Sequence, residues 1–309
     1  MSNCEEVNLC RIVCVLQLAY GVKCMIDEYE KKYAPTPETK DLKVYKFGRF
    51  NENEYTVLED GTAEIRRFKE RKGNLTIPEE IDGYHVTRIR EGAFRKHNVL
   101  RNVTIPEGVI RIGGQAFREC HDLYMVHLPD SIEYIGIGAF RGDKWLKEIN
   151  MPEELKVLER WAFMDCENLR QIIIPNQISE IKKATFHRCK KLESVILPKG
   201  VTDIEDGAFF LCYALHNINF PKSLKRIGSS AFYNCLGFTD ISLPKGLESI
   251  GAGAFRYCRN LKTIRIPEGV QGLGENLFEG CDNLTVLVTE GSYAEKYCMN
   301  NGLPMKVMK

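Results

Sequence analysis

The chain lacks an excess of either charge: 43 lysines and arginines stand against 42 aspartates and glutamates in 309 residues, a net charge of +1. Nucleic-acid binders carry a basic excess or stripe, so this balance argues against that class. No Cys-x-x-Cys occurs among the twelve cysteines, and zinc sites usually need such local spacing. A Gly-x-x-x-x-Gly-Lys phosphate loop, His-Glu-x-x-His and Gly-x-Ser-x-Gly are absent too. The usual carriers of nucleotide, zinc-protease and serine-hydrolase chemistry are therefore missing. The apolar stretch from Ile12 to Tyr20 is short and bounded by Arg11 and Lys23, so no stable membrane span is expected. Lone surface histidines such as His121 and His127 are seldom ligands, and neither a metal nor a cofactor is expected.

What the chain does have is a period. Phenylalanine stands at 94, 117, 140, 163, 186, 209, 232, 255 and 278, a step of 23 residues, and proline keeps the same step from Pro106 to Pro267. Units of this length cannot bury an apolar face alone and must stack on their neighbours. One unit reads Leu123, Val126, Leu128, Pro129, Ile132, Ile135, Ala139, Phe140. Val126 and Leu128 alternate with Met125 and His127, which predicts a short strand with one buried face, ended by a proline that cannot donate to the ladder. Ile105, Leu128, Met151, Ile174, Leu197, Phe220, Leu243 and Ile266 are expected to point inward from stacked parallel strands. Buried positions then run Phe, Cys, Leu at steps of three, as in Phe163, Cys166 and Leu169, which predicts a short helical, 3₁₀-like or turn segment. Gly136-x-Gly138 and Gly251-x-Gly253 look like the opening of a dinucleotide fingerprint, but Arg141 or Arg256 holds the third glycine position, and these glycines recur as the turn of the repeat.

Seven cysteines, at 120, 166, 189, 212, 235, 258 and 281, share one repeat position, which His97 and Asp143 occupy in two other coils. A column of buried free thiols is the simplest reading. In-register neighbours about 4.8 Å apart are too far for the ~3.8 Å that a disulfide prefers between Cβ atoms. A hydroxyl in this column is expected to lack a partner. The unbridged core points to a cytoplasmic location; the alternative is the cell surface, or secretion without a recognisable signal peptide. Three glycosylation sequons, at Asn74, Asn102 and Asn283, are expected to share one strand position and to recur by duplication.

The unit resembles the BspA-type leucine-rich repeat, on the pattern Leu169-x-x-Ile172-x-Ile174-Pro175-x-x-Ile178-x-x-Ile181 followed by Phe186-x-x-Cys189. The resemblance implies an α/β solenoid: a right-handed, leucine-rich-repeat-like stack of parallel strands that binds other macromolecules and has no catalytic residues. Tyr55 to Ile65 with the turn Asp60-Gly61, then Leu75, Ile77 and Pro78, looks like the family's opening unit, with an insertion near Gly83-Tyr84. Gly291 to Pro304 resembles its closing cap, with Ser292 and Glu295 at capping-box spacing. The expected organisation is an N-terminal helix and linker over residues 1–50, the solenoid over 51–290 and a C-terminal cap over 291–309. The N-terminal helix, running to about Lys32, is expected to cover the first coil or to oligomerise the chain. A signal peptide fits poorly, because Glu5 and Glu6 precede the apolar run.

Positions that recur belong to the core, so the identity of a partner must lie in the variable columns. The residue after the repeated phenylalanine runs from Arg95, Arg118 and Arg141 to Phe210 and Tyr233. With Leu211, Tyr213 and Tyr257 it forms an aromatic edge, either a hot spot for a partner or lateral packing. On the strand face, Ile173 and Ile196 are expected to be exposed. Glu180, Asp203, Glu205 and Asp206 make an acidic spot. The expected function is a non-catalytic interaction module, adhesin-like or scaffolding, that binds a protein or peptide at Ile173, Ile196, Phe210, Leu211, Tyr213, Tyr233 and Tyr257. The alternative is an assembly protein whose solenoid is a spacer.

Overall fold

The computed structural model describes residues 44–308, and the helix expected near the N-terminus lies outside them. The described chain is a parallel-strand solenoid whose first strand column holds eleven short strands, from Asn74–Thr76 to Met305–Met308. Neighbours pair in parallel at the repeat interval, as in Val103↔Val126 and Ile241↔Ile264. In the three-residue strands the central residue is β-branched or leucine and points inward, while its two flanks face outward. Of the eight residues expected to point inward, six are buried; Met151 and Phe220 are partly buried against the same core. A second column of two-residue strands follows, each ending in the isoleucine or leucine before the turn. Alternation and β-branching suit this pleated, half-buried surface.

The opening unit is antiparallel. Asn53–Leu58 pairs with Ala63–Arg67, which in turn pairs in parallel with Tyr84–Ile89 and starts the second column. The insertion near Gly83 is a hairpin: Glu80–Ile81 returns on Tyr84–Ile89 through Asp82 and Gly83, both at positive φ. Such a two-residue turn needs left-handed residues. At the other end Ser292 Oγ accepts from the Glu295 amide at 3.2 Å, and Glu295 accepts from the Gly291 amide at 2.7 Å, so the helix Tyr293–Asn300 is capped as its sequence predicts. One further strand, Met305–Met308, follows it and pairs with Thr285–Thr289.

The segment after the second strand corrects the helical expectation. It is a chain of turns, and the helix Tyr293–Asn300 is the only one among the described residues. Ala116, Arg118 and Cys120 each donate to the carbonyl three residues back, but the alternate amides of Gln115, Phe117 and Glu119 donate to the next coil. Two residues four apart in every coil are left-handed, for example Gln115 and Glu119, Trp161 and Asp165, Ser230 and Asn234. A 3₁₀ helix tolerates neither the diverted amides nor the reversed φ. Steps of three in the sequence arise here from consecutive turns.

Inside these turns the phenylalanines form one column, with adjacent ring centroids 4.7 to 6.1 Å apart and planes within 22° from Phe94 to Phe278. The seven repeat cysteines are free and buried. Each thiol donates to the phenylalanine carbonyl 26 residues earlier, as Cys212 does to Phe186 at 3.1 Å. A serine in this column would keep that acceptor, contrary to the sequence expectation. Asp143 takes the same slot: it is wholly buried, accepts from the Cys120 amide at 2.8 Å and leaves its second oxygen unpartnered.

One joint differs from the rest. No strand pairing links the coil of Glu148–Ile149 and Val157–Leu158 to the coil of Gln171–Ile173 and Glu180–Ile181, in either column. Across it run turn-edge bonds, from Trp161, Phe163 and Asp165 to Lys183, Thr185 and His187, together with the stacked rings of Phe163 and Phe186. At the first-column edge Asn150 bonds the amide and carbonyl of Leu128 through its side chain, at 2.8 and 2.7 Å. Asn219 does the same to Leu197 where the first column breaks again, although the second column continues there.

Candidate functional site

Strand pleating places the two isoleucines of the variable column side by side. Ile173 and Ile196 pair in register and are 61% and 48% exposed. In the flanking coils the same column holds Asn150 and Asn219, whose amides fold back onto the backbone, so the apolar pair is bounded by polar groups on both sides. It is a small apolar patch in an otherwise polar column.

The aromatic edge is packed more closely than its sequence suggests. His187 lies flat on Phe210 at 4.7 Å, Phe210 on Tyr233 at 4.5 Å, and Tyr257 meets Tyr233 edge-on at 5.4 Å. Tyr233 is only 5% exposed, while Phe210, Leu211, Tyr213 and Tyr257 are half-buried. The Tyr257 hydroxyl donates to Glu279 at 3.0 Å. Lateral packing thus accounts for much of the ridge, and the open apolar area lies on the strand face. His187 is buried with neither ring nitrogen partnered. Burial, reinforced by Arg188 and Arg141, pulls its pKa down to about 3. Leu211 adopts a left-handed backbone at one of the two positions that every coil reverses.

The acidic spot is bridged by a cation. Asp203 bonds Arg226 of the next coil, and both line a groove of about 620 Å³ whose lining includes Gly228, Gly251 and Gly274. At the basic edge Arg118 pairs with Glu119 at 3.1 Å. Among the described residues no three His, Cys, Asp or Glu side chains gather as a metal site, and no helix is long and apolar enough to cross a membrane. Asn74 and Asn102 start paired strands, but Asn283 lies ahead of Thr285–Thr289 and does not share their position.

Sequence reasoning passed over a second cluster. Trp145 is 59% exposed, whereas the other tryptophan, Trp161, is 6% exposed. With Arg101, Asn102, Asp122 and Tyr124 it lines a cavity of about 350 Å³. A signal was present: the Trp145 column otherwise reads Val99, Asp122, Asn168, Lys191, Ala214, Gly237 and Asn260, so no other coil places an aromatic ring there.

A path of strand, strand and turns, closed every 23 residues around stacked phenylalanines, defines a solenoid of the leucine-rich-repeat class. The family model of the BspA type leucine rich repeat region, in 6 copies, matches residues 73–193 and 179–301. The chain belongs to that family. No curated protein matches it. Solved structures similar to it include a leucine-rich repeat protein of Bacteroides ovatus, 22% identical over 86% of this chain and 99% of that one, with a TM-score of 0.44. A leucine rich cell surface protein of Faecalibacterium prausnitzii is 20% identical over 82% and 97%, with a TM-score of 0.42. The T. pallidum leucine rich repeat protein is 22% identical over 88% and 98%, with a TM-score of 0.39.

Proposed function

We propose that the chain is a non-catalytic interaction module that takes a protein or peptide partner on its strand face around Ile173 and Ile196. The observation that carries this reading is the pair of exposed isoleucines in register on adjacent strands. An apolar centre within a polar rim is the usual anatomy of a binding hot spot. Phe210, Leu211, Tyr213 and Tyr257, half-buried on the turn edge, offer a secondary contact, with Tyr233 packed behind them as support.

The strongly perturbed groups suit a structural protein. Burial raises the pKa of the repeat thiols, of Asp143 and of Asp165, and lowers that of His187, and all sit within the packed coils. Catalytic groups with perturbed pKa values sit in clefts that substrate can reach. Sealed, protonated thiols need no reducing compartment to stay unbridged, so the thiol column is compatible with the cell surface as well as the cytoplasm.

The test is a charge placed in the patch. Ile173→Lys with Ile196→Glu, opposite charges in register, should leave the circular dichroism spectrum and melting temperature close to wild type, because exposed substitutions usually change stability by no more than about 0.5 kcal/mol. It should abolish capture of the partner that wild-type protein retains from its native cells. Retained capture by the folded double variant would place the interface elsewhere.

A further inference from the structure

The repeat brings two variable columns together around Trp145. Asp122 and Trp145 stand 23 residues apart in one column; Arg101, Tyr124 and Lys147 follow the same step in the other. Lys147 holds Tyr124, with its ammonium 2.9 Å from the phenol oxygen. Asn102 donates to Asn74 at 2.7 Å, and among the described residues its amide oxygen accepts no hydrogen bond. Arg101 and Asp122, opposite in charge, line the same cavity of about 350 Å³, and neither forms an ion pair among the described residues. Beside them a tryptophan ring is left open to solvent.

From this juxtaposition we propose that the Trp145 cavity is a binding site for a neutral carbohydrate, with a pyranose ring stacked on the indole and its hydroxyls shared between Arg101, Asp122 and Asn102. A pyranose combines a flat C–H face with a rim of groups that donate and accept together. The indole takes the face. One hydroxyl donates to Asp122 while its neighbour accepts from Arg101, so a cation and an anion that do not meet each other are both satisfied. The two charges cancel, and Lys147 is engaged with Tyr124 and Glu148, so nothing at the site selects for an anion. The volume lies at the lower end of the ~300–1,000 Å³ typical of small-ligand pockets, room for a short oligosaccharide segment. The site is distinct from the isoleucine patch and does not depend on it.

Fluorine NMR of the full-length chain labelled with 5-fluorotryptophan should show two resonances, one for Trp145 and one for Trp161. Titration with neutral cello-, manno-, xylo- and chito-oligosaccharides should shift the Trp145 resonance with at least one series and leave Trp161 in place. Saturation transfer should reach the sugar C–H protons. Trp145→Ala should remove the transfer, Trp145→Phe should keep part of it, and Asp122→Asn should weaken binding about tenfold, as expected for one charge-assisted hydrogen bond. The proposal fails if none of the four series moves the Trp145 resonance, if transfer persists in folded Trp145→Ala, or if a peptide bearing both charges saturates the site while every sugar is inert.

Discussion

Asp143 occupies a slot built for a thiol, and the substitution has a sign. Burial, reinforced by the nearby Glu119 charge, raises its pKa well above the ordinary carboxylate value, so the fold favours the neutral form. A raised pKa contributes stability that is full below the unfolded value near 4 and is lost as pH rises toward the folded value. At pH 7 Asp143 is therefore a liability. Asp143→Asn keeps the acceptor for Cys120 and removes the group that must ionise in a buried place. It should raise stability at pH 7 by about 1–3 kcal/mol, and the gain should vanish near pH 3, as chemical denaturation at the two pH values would show. His187 behaves oppositely. Its pKa falls from the usual 6.5 to about 3, so between those values the unfolded chain binds a proton that the native chain refuses. Stability is lost as pH falls through that window, by up to about 1.4 kcal/mol per pH unit. His187→Phe extends the ring stack and should flatten the profile between pH 6.5 and 3; an unchanged profile would mean that the ring is hydrated. The thiol column was legible in the sequence because it recurs. Its carbonyl acceptors were not, since they lie 26 residues back on another coil.

At the scale of the element, the strand was readable and the turn was not. Alternating apolar residues followed by proline specify a short strand wherever they stand. The Phe, Cys, Leu spacing fits a 3₁₀ helix and a run of turns equally well, and the choice rests on where alternate amides go, which is a property of the neighbouring coil. The glycine after the second strand shows the same dependence. An added Cβ at Gly251 would come within 2.4 Å of the Ser229 amide nitrogen, backbone that a rotamer change cannot move. Gly251→Ala should cost about 1–3 kcal/mol through this overpacking, whereas an alanine at Gly61, whose Cβ would meet nothing within 4 Å, would pay only for its positive φ. Urea melts of the two variants separate crowding from backbone strain. Glu159 and Glu205 hold the equivalent place and still donate across to the coil before, so glycine is required by how closely two particular coils approach and not by the motif.

For the whole molecule, stability of a stacked array is set by its coil-to-coil joints. The joint between the coils of Glu148–Ile149 and Gln171–Ile173 lacks ladder bonds in both columns, so it should be the first to open. Native-state hydrogen exchange should find two cooperative blocks meeting there, with amides near residues 168–183 exchanging from a lower free-energy opening than those of Val195 or Ile264. Uniform protection along the solenoid would contradict this. The sequence marks the joint only indirectly: Asn150-Met151, like Asn219-Phe220 at the other break of the first column, replaces the usual pair of residues before proline. The binding surfaces were legible in proportion to how far they depart from that shared core: Ile173 and Ile196 stood out as apolar residues in a polar column, while the Trp145 cluster needed two columns to be read together.

The backbone fastens the same joint along one side only. Its backbone bonds and stacked rings follow the turn edge, so that edge acts as the spine of a book whose pages are held by side-chain clasps alone, Gln177 to Glu154 and Lys182 to Glu159. Bending about this spine would swing the block bearing Trp145 against the block bearing Ile173 and Ile196, with no coil unravelling. Two ligands held at those places would then feel each other through the angle of the fold.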